Sequence, residues 1–362
     1  MTTYLLAGGG TAGHVNPLLA VADRIRDTEP DATALVLGTR EGLEARLVPD
    51  RGYELLTIDR VPFPRRPNRA ALDFPKLFRG AVDAVRGIIR DRSVDVVVGF
   101  GGYASAPAYL AAHRESTPFA IHEANARPGL ANRLGARYTS DVGVAFRHTR
   151  LRGAEWVGMP LRREIETLDR FAARQEGIRF FGLDQDRPVL LVTGGSSGAQ
   201  RINETISRSI ATILGAGWQV VHLTGEYRDA IEDPHLPGYR ILKYCDRMDL
   251  ALAAADLSLS RAGTSTVAEV SALGIPSVFV PYASGNGEQR LNARDAVSTG
   301  GAVLVADADF TAEWVASELA PLLMSRATIA DMAVRIATTG TREGTDRMLS
   351  LVHRALDRRL HA

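Results

Sequence analysis

Four glycine-rich segments follow short apolar runs in this sequence, and each could bring a ligand close to the backbone. The first is GGGTAGHVNP at 8–17, and the others lie at 99–103, 194–198 and 260–269. Glycine lets the chain turn tightly, and the free N–H groups of a following helix attract an anion. We therefore predict phosphate-binding turns, although each segment alone is equally compatible with a plain strand-to-helix turn.

The spacing of these glycines disfavours two common nucleotide-binding classes. None of the segments is a GxGxxG followed by an acidic residue, as in NAD sites, and none is GxxxxGK[ST], as in P-loop NTPases. Four such turns in one chain nevertheless favour ligand binding over chance, because open parallel sheets bind ligands at the carboxyl ends of their strands.

His14 is the first candidate for a general base, because imidazole titrates near neutral pH and this one lies in the first glycine segment. It could equally begin a helix or donate to a phosphate. His122 and Glu123, in FAIHE at 119–123, are the rival candidates. For these two, a role in holding the adjoining loop is at least as well supported.

Composition narrows the class of protein. The chain has 362 residues, 45% apolar residues and a net charge of +1, which is typical of a globular protein and not of one that binds nucleic acid through bulk charge. Cys245 is the single cysteine, so neither an internal disulfide nor a Cys/His zinc motif is expected. We see no signal peptide and no apolar stretch long enough to span a membrane.

Short Val/Ile/Leu-rich runs alternate with amphipathic segments along the whole chain. In the first half the predicted strands are 4–8, 32–38, 53–58, 94–100, 119–123, 141–146 and 155–158; in the second half they are 188–195, 218–225, 239–244, 257–261, 276–282 and 302–306. Helical periodicity covers 16–28, 199–214, 264–273, 288–299 and about 344–360. This alternation predicts an α/β fold made of two doubly wound Rossmann-like units that face each other across a cleft.

The polar segment at 158–187 marks the seam between the two halves. We predict an N-terminal domain at 1–158 and a C-terminal domain at 159–340. A last helix within 341–362 has no strand after it, and it is expected to pack back on the N-terminal domain.

Taken together, the motifs resemble those of the peptidoglycan N-acetylglucosaminyltransferases of glycosyltransferase family 28. The segments that carry the resemblance, in order, are GGGTAGHVNPLLAVA, GFGGYASAP, HEANARPGLANR, GGSSGAQRIN and SRAGTSTVAEVSALGIPSVFVPY. The resemblance implies the GT-B fold and transfer of N-acetylglucosamine, with inversion, from UDP-GlcNAc to the 4-hydroxyl of the MurNAc-pentapeptide in lipid I. The product, lipid II, forms on the cytoplasmic face of the membrane, where the protein would be peripheral.

The resemblance also implies which residues bind the donor, with no cofactor and no obligatory metal. Thr264, Ser265 and Thr266 would hold a phosphate, Glu269 the ribose and Ser196 the nucleotide sugar. Gln289 and Asn292 would lie near the sugar hydroxyls, Arg162 near the diphosphate, and the backbone of Cys245 at the uracil. The remaining expected UDP-GlcNAc contacts are Thr11, Ala12, Gly13, Asn125, Val267 and Ala268.

The acceptor side would come from the N-terminal domain. Gly101, Gly102 and Tyr103, with His14 and the 11–13 turn, would line the lipid I site, and the N-terminal domain would face the membrane. Two features depart from the family pattern: Met159 replaces the usual asparagine, and 283–288 has glycine and acid where basic or aromatic residues are common. Both departures concern the sugar contacts.

The segment at 60–92 combines arginines, prolines and aromatic residues. Its apolar residues fall at helical spacing, which is typical of a core-facing stripe, yet the local excess of basic charge favours contact with an anionic membrane surface. Proteins of cell-wall synthesis are further expected partners. Two alternatives stay open from the residues alone: a related transferase that glycosylates a soluble natural product, and an inactive protein that only binds a nucleotide sugar.

Overall fold

The computed structural model describes residues 1–64, 69–195, 198–225, 232–283 and 287–360, without the side chains of 69–70 and 359–360. The chain divides into two compact units. Unit 1 comprises Met1–Arg162 and Glu343–Ala362, and unit 2 comprises Arg163–Arg342. The division falls four residues later than the seam predicted at 158 and places Arg162 at the end of unit 1.

Unit 1 is built on a parallel sheet of seven strands. They are β1 (Thr3–Ala7), β2 (Thr33–Gly38), β3 (Glu54–Thr57), β4 (Val96–Gly99), β5 (Phe119–Glu123), β6 (Val142–Val144) and β7 (Ala154–Trp156). Their order is β3-β2-β1-β4-β5-β6-β7, and every neighbouring pair is parallel. The strand order reverses between β1 and β4, so the loops after these two strands diverge and leave a crevice.

Helices cover both faces of this sheet. They are α1 (Ala12–Thr28), α2 (Glu44–Asp50), α3 (Arg69–Asp91), α4 (Ser105–Arg114), α5 (Leu130–Gly135) and α16 (Gly344–Leu360). One buried cluster joins α1 and α16 to the sheet through residues such as Leu18, Val21 and Val352. A second cluster joins α3 and α4 to the opposite face through residues such as Val85 and Tyr109. The sheet is therefore buried on both sides, as its apolar strands require.

Unit 2 repeats this arrangement with six parallel strands. They are β8 (Val189–Thr193), β9 (Gln219–Leu223), β10 (Tyr239–Leu242), β11 (Leu257–Ser260), β12 (Ser277–Phe279) and β13 (Ala302–Leu304). Their order is β10-β9-β8-β11-β12-β13. The reversal here lies between β8 and β11, so the loops after these two strands occupy the equivalent crevice position.

The helices of unit 2 are short apart from α8. They are α6 (Arg163–Glu166), α7 (Arg170–Phe180), α8 (Gln200–Gly215), α9 (Met248–Ala254), α10 (Thr264–Ala272), α11 (Glu288–Asn292), α12 (Arg294–Ser298), α13 (Ala312–Trp314), α14 (Ala320–Met324) and α15 (Arg326–Ala337), with a π-helical turn at Val315–Leu319. The prediction of a single helix at 288–299 was wrong in one respect, because Ala293 separates two short helices.

All thirteen predicted strands are present, and the two Rossmann-like units confirm the predicted fold class. The central strands β1, β4, β5 and β8 are almost entirely buried, which explains why apolar runs without alternation marked them correctly. Among the described residues, no helix is both long and apolar enough to cross a membrane.

Polar contacts fix the C-terminal helix α16 on unit 1. His353 Nε2 lies 2.8 Å from Glu29 Oε1, and Arg358 Nη2 donates to Asp141 Oδ1 over 2.8 Å. Nearer the start of the helix, Met348 packs in the buried cluster that includes residues of α1. The helix thus completes the face of the first sheet although the chain reaches it only after the whole of unit 2.

Candidate active site

The candidate residues of unit 1 gather at the carboxyl ends of β1, β4 and β5. The loop after β1 and the loop after β4 touch through their glycines. Gly102 has φ +84°, and a Cβ added there would lie 2.4 Å from the carbonyl oxygen of Gly9. Any side chain at 102 would thus be strained and would collide with backbone. The two loops pack this closely only because both are made of glycine.

His14 lies in the first turn of α1, beside the loop after β4. Its Nδ1 is 3.1 Å from the carbonyl oxygen of Gly9 and 3.3 Å from Thr11 Oγ1. A carbonyl only accepts hydrogen bonds, so this contact places the imidazole proton on Nδ1 and leaves Nε2 with its lone pair. A Cβ added to Gly101 would lie 3.1 Å from that Nε2. The basic nitrogen of His14 therefore faces the crevice between the two loops.

Glu44 braces the first glycine loop, and the sequence analysis missed it. Its buried carboxylate accepts from the N–H of Gly10 over 2.8 Å, from the N–H of Thr39 over 3.0 Å and from the Thr39 hydroxyl over 2.8 Å. A Cβ added to Gly9 would lie 2.2 Å from the same carboxylate. The Gly10 N–H is thus already occupied. Its position just after β2, at the same edge of the sheet, was the one sequence feature that could have identified Glu44.

Glu123, at the end of β5, is almost fully buried and holds the following loop. Its carboxylate accepts from the N–H of Asn125 over 2.8 Å, the N–H of Gly129 over 2.9 Å and Nδ2 of Asn132 over 2.9 Å. Burial raises the pKa of Glu123, and the hydrogen bonds from these three donors partly offset that effect. Its oxygens are engaged with the loop at 124–132, which carries Asn125.

His122 is fully buried on the same strand. Its Nε2 lies 3.0 Å from the carbonyl oxygen of Gly158, so Nε2–H donates to that carbonyl. Burial lowers the pKa of His122 to about 4, and it is neutral at physiological pH. The hydrogen bond fixes the end of β5 to the segment that leads out of unit 1. Both rivals to His14 are thus buried and hydrogen-bonded to the segments that follow β5 and β7.

Tyr103 contacts the guanidinium of Arg60 at the outer end of the loop after β4. Arg60 Nη2 donates to the Tyr103 hydroxyl over 3.0 Å, and the guanidinium carbon lies 4.4 Å from the ring centroid. Arg60 follows β3, so five neighbouring strands, β3-β2-β1-β4-β5, contribute to this edge. The sequence analysis assigned Tyr103 to the acceptor side but did not identify Arg60.

In unit 2 the corresponding edge presents the amino end of α10. Gly263 is the N-cap, and its extended backbone provides no side-chain cap for the N–H groups of Thr264, Ser265 and Thr266. The first turn contains no acidic residue, so nothing there competes with an anion for the helix dipole. Val267 and Ala268 continue the same helix.

Glu269 lies one and a half turns further along α10 and is nearly buried. Near α10, three side chains form hydrogen bonds with the backbone of neighbouring loops. Asn292 is buried, and its Nδ2 donates to the carbonyl oxygen of Ala262 over 3.3 Å. Gln289 Oε1 accepts from the N–H of Tyr282 over 2.9 Å. Arg261, which the sequence analysis did not identify, donates to the carbonyl of Val280 over 2.9 Å. The loops after β11 and β12 are thus fixed relative to each other.

The loop after β8 is a tight glycine turn. Gly195 and Gly198 have φ +80° and +69°, and the N–H of Gly198 donates to the Gly195 carbonyl over 2.8 Å. A Cβ added to Gly194 would lie 2.3 Å from the N–H nitrogen of Ala199. Ser196, the predicted donor contact of this loop, lies outside the described residues.

Cys245 follows β10 and is buried, and burial raises the pKa of its thiol. A protonated, buried thiol is a poor nucleophile, which agrees with a backbone role at this position. Met159 is also buried, and its backbone packs against Gly344, where an added Cβ would lie 2.2 Å from the Met159 carbonyl oxygen. Met159 therefore packs inside unit 1, between the ends of β7 and α16.

The apolar stripe of α3 divides into two halves. Val82, Val85 and Ile89 are buried in the core, whereas Leu72 and Leu77 are exposed by 80% and 56%. At the exposed end, Phe63 meets Phe74 edge to face with ring centroids 5.4 Å apart, and Phe74 stacks on Phe78 at 5.3 Å.

Basic residues of α3 follow the same division. At the buried end, Arg86 and Arg90 form ion pairs with Glu115 at 2.7 and 2.6 Å. Lys76 and Arg79 lie on the exposed half. Two further basic residues of this segment, Arg65 and Arg66, lie outside the described residues. The first half of α3 with Phe63 thus forms an exposed surface with apolar and basic residues side by side; we call it the α3 patch.

Comparison with known proteins covers both units. Residues 4–144 match the glycosyltransferase family 28 N-terminal domain, and residues 189–348 match the glycosyltransferase family 28 C-terminal domain. A relative from Leifsonia xyli subsp. xyli is 61% identical over 356 residues, covering 98% of this chain and 99% of its own. It is named UDP-N-acetylglucosamine--N-acetylmuramyl-(pentapeptide) pyrophosphoryl-undecaprenol N-acetylglucosamine transferase.

Solved structures agree with these matches. The crystal structure of Acinetobacter baumannii MurG superposes with a TM-score of 0.80 at 28% identity, over 98% of this chain and 100% of that one. The calicheamicin glycosyltransferase CalG4 superposes with a TM-score of 0.68 at 18% identity, over 99% of each chain, a likeness that extends to the fold.

Proposed function

The chain belongs to glycosyltransferase family 28, and from that premise we propose that it transfers N-acetylglucosamine from UDP-GlcNAc to the 4-hydroxyl of the MurNAc-pentapeptide of lipid I, forming lipid II. The observation that carries this proposal is 61% identity over nearly the full length of a transferase of that name. A transferase acting on a soluble natural product is not favoured, because the calicheamicin glycosyltransferase CalG4 resembles this chain in fold alone.

On the donor side, the amino end of α10 is the natural site for the UDP diphosphate. The N–H groups of Thr264, Ser265 and Thr266 and the helix dipole would stabilise the charge that develops on UDP as it leaves. Glu269, further along the same helix, would accept hydrogen bonds from the ribose hydroxyls. Arg162 would add positive charge, and the backbone at Cys245 would bind uracil.

Other predicted donor contacts have roles set by their surroundings. Asn292 fixes the loop before α10, so its contribution to the sugar site is to position that loop. Gln289 uses its carbonyl for the backbone of Tyr282, which leaves its amide N–H groups for sugar hydroxyls. Asn125, held by Glu123, would reach the N-acetylglucosamine from unit 1.

On the acceptor side, His14 is the candidate base. Inverting transfer forms a bond between the acceptor oxygen and the anomeric carbon while the bond to UDP breaks, and the hydroxyl proton passes to the base. The lone pair on His14 Nε2 can take that proton, because Nδ1–H is held by the Gly9 carbonyl. Glu123 has its oxygens engaged by three donors, and His122 donates through Nε2, so both position loops instead.

The lipid I diphosphate would lie against the glycine loops after β1 and β4. Glu44 occupies the Gly10 N–H, so the N–H groups at Thr11, Ala12 and Gly13 in the first turn of α1 are the ones that would serve the diphosphate. Gly101 and Gly102 would leave room for it, and Tyr103 would line its outer end. The two glycine turns would thus bind the acceptor through contacts between their backbone and the diphosphate.

We further propose that unit 1 binds the cytoplasmic face of the membrane through the α3 patch. Exposed leucines and the phenylalanine cluster would enter the headgroup region, while Lys76 and Arg79 would meet anionic lipid at about 1 kcal/mol each. Such a position brings the acceptor site to a substrate that cannot leave the bilayer. Partner proteins of cell-wall synthesis would meet the enzyme at the same membrane.

The proposed reaction is tested with purified protein, radiolabelled UDP-GlcNAc and a short-chain lipid I analogue. The expected product is a labelled lipid-linked disaccharide that depends on both substrates. Unlabelled UDP-GlcNAc should compete, and a soluble MurNAc-pentapeptide without diphosphate should be a poor acceptor. Absence of the disaccharide, with the protein folded and UDP bound, would reject the proposal.

A further inference from the structure

A cavity of about 410 Å³ lies in unit 2 at the amino ends of its parallel strands. Pro188, Trp218 and Pro276 directly precede β8, β9 and β12 and form part of its wall. The amino edge of a parallel sheet is opposite the carboxyl edge, which carries the first turn of α10. The cavity is therefore separate from the proposed donor site, and its volume is typical of small-molecule pockets.

The cavity wall carries an excess of positive charge. Four arginines line it (Arg170, Arg174, Arg187 and Arg326) together with two aspartates (Asp186 and Asp256). Arg174 forms an ion pair with Asp256 at 2.9 Å, whereas Arg187 donates to the carbonyls of Gly217 and Trp218 over 3.2 and 2.8 Å. Within the described part of the chain, no carboxylate forms an ion pair with Arg326, which is exposed on α15.

Arg170 adds a positive charge to the wall, and its guanidinium lies largely buried below the surface. Its Nε donates to the Leu252 carbonyl over 3.3 Å, Nη1 donates to the Leu273 carbonyl over 3.1 Å, and Nη2 donates to the Ala255 carbonyl. Burial lowers the pKa of Arg170 to about 10, although nearby Asp256 acts in the opposite direction. Backbone carbonyls satisfy the N–H groups but bring no full negative charge. An anion bound in the cavity would supply one.

Apolar surface adjoins these charges. Phe171 follows Arg170 on α7 and contributes to the cavity wall, and the residue is 93% exposed, which is unusual for a phenylalanine. Pro276, Ile329 and Ala333 add apolar wall. An aromatic ring could stack on Phe171 while its acidic group meets the arginines.

We propose that this cavity binds a small organic anion in which a carboxylate or phosphate is attached to an apolar ring. Arg326 and Arg187 would contact the anion at the rim, and Phe171 and Pro276 would contact the ring. The site is independent of the transfer reaction, so it stands or falls separately from the proposed function.

The test uses 1-naphthyl phosphate as the probe and isothermal titration calorimetry on the full chain saturated with UDP. We expect one saturable site. Arg326→Glu should weaken binding about tenfold, the effect of losing one charged hydrogen bond. The matched control is Arg179→Glu, an exposed arginine on α7 outside the cavity, which should leave binding unchanged. Ala333→Trp, which fills the cavity, should abolish binding.

Two comparison ligands separate the contributions of charge and ring. Inorganic phosphate and 1-naphthol each carry one half of the proposed chemistry, and both should bind at least about tenfold more weakly than 1-naphthyl phosphate. Equal binding of 1-naphthol, binding of the probe only when UDP is left out, or the same affinity in Arg326→Glu and Arg179→Glu would overturn the proposal. So would the absence of saturable binding below about 10 mM.

Discussion

Three ionisable side chains meet near the crevice of unit 1, and their hydrogen bonds distinguish their roles. His14 donates through Nδ1 and keeps a lone pair at Nε2. His122 donates through Nε2 to Gly158, and Glu123 accepts from three donors in the loop after β5 and the following helix α5. A base must have a lone pair that can reach the substrate, so residue type alone could not separate these candidates, whereas tautomer and partner do.

His14→Asn tests this distinction. The asparagine amide can still donate to the Gly9 carbonyl in place of Nδ1, but it has no basic nitrogen in place of Nε2. We expect kcat to fall about 10²–10⁴-fold, with donor affinity unchanged. Steady-state kinetics with the lipid I analogue and calorimetry with UDP-GlcNAc measure both. A variant whose kcat stays near the wild-type value while only the acceptor KM rises would mean that His14 holds the phosphate.

Glu44→Gln tests the brace of the first glycine loop. Glutamine keeps one acceptor oxygen but turns an NH₂ group toward the N–H of Gly10 or Thr39, so at least one buried hydrogen bond is lost, at about 1–3 kcal/mol. We expect a higher acceptor KM and a smaller change in UDP-GlcNAc affinity, because the diphosphate and ribose contacts proposed on α10 lie in unit 2. The control is Glu41→Gln, an exposed carboxylate three residues away. Identical kinetics in the two variants would count against the brace.

At the scale of elements, helix α3 shows how one stripe can serve two environments. Its second half packs in the core, and its arginines there are paired with Glu115, so they add little free charge. Its first half presents leucines to solvent. The basic excess counted over 60–92 therefore overstates the charge available to a membrane, and apolar contact must contribute more than the charge count suggests.

Leu72→Ser with Leu77→Ser should weaken binding to phosphatidylglycerol vesicles at least about tenfold, because a buried leucine contributes about 1.5–3 kcal/mol. Sedimentation with vesicles measures this. Activity on a soluble short-chain acceptor should be unchanged. Met324→Ser, an exposed apolar residue of unit 2, is the matched control. If the double variant and the control sediment alike, the α3 patch is not the membrane contact.

Strands were predictable from sequence because local composition alone marks a strand buried on both faces. Contacts between distant segments were not. Glu44 follows β2 and Arg60 follows the edge strand β3, and both reach the crevice only through the strand order β3-β2-β1-β4. The break at Ala293 within 288–299 likewise depends on tertiary packing, because helical periodicity continues through it. Glycine turns were visible as motifs, but their mutual contact at Gly9 and Gly102 was not.

At the scale of the whole molecule, each unit contains one fully buried histidine whose pKa burial lowers to about 4. His122 lies in unit 1, and His222 in unit 2 donates to Asn203 and accepts from Tyr239. Both stay neutral in the folded chain but take up a proton near pH 6.5 when unfolded. Stability is thus fully present above pH 6.5 and is lost as pH falls toward 4.

We expect each unit to lose about 2 kcal/mol of unfolding free energy between pH 7 and pH 5 from its buried histidine. Trp156→Phe leaves Trp218 and Trp314, both in unit 2, so fluorescence in urea then follows unit 2 alone. In that background His222→Gln should reduce the pH dependence by about 2 kcal/mol although it lowers stability at both pH values. An unchanged pH dependence would show that His222 is not the titrating group.

The central claim, inverting transfer to the 4-hydroxyl of the lipid I sugar, is tested most directly by the linkage in the product. Proton and carbon NMR of the disaccharide made from UDP-GlcNAc and a lipid I analogue should show a β anomeric centre joined to carbon 4 of MurNAc. UDP-GlcNAc is an α-linked donor, so a single displacement inverts the configuration. An α linkage, attachment at another carbon, or hydrolysis of UDP-GlcNAc with no disaccharide would contradict the account.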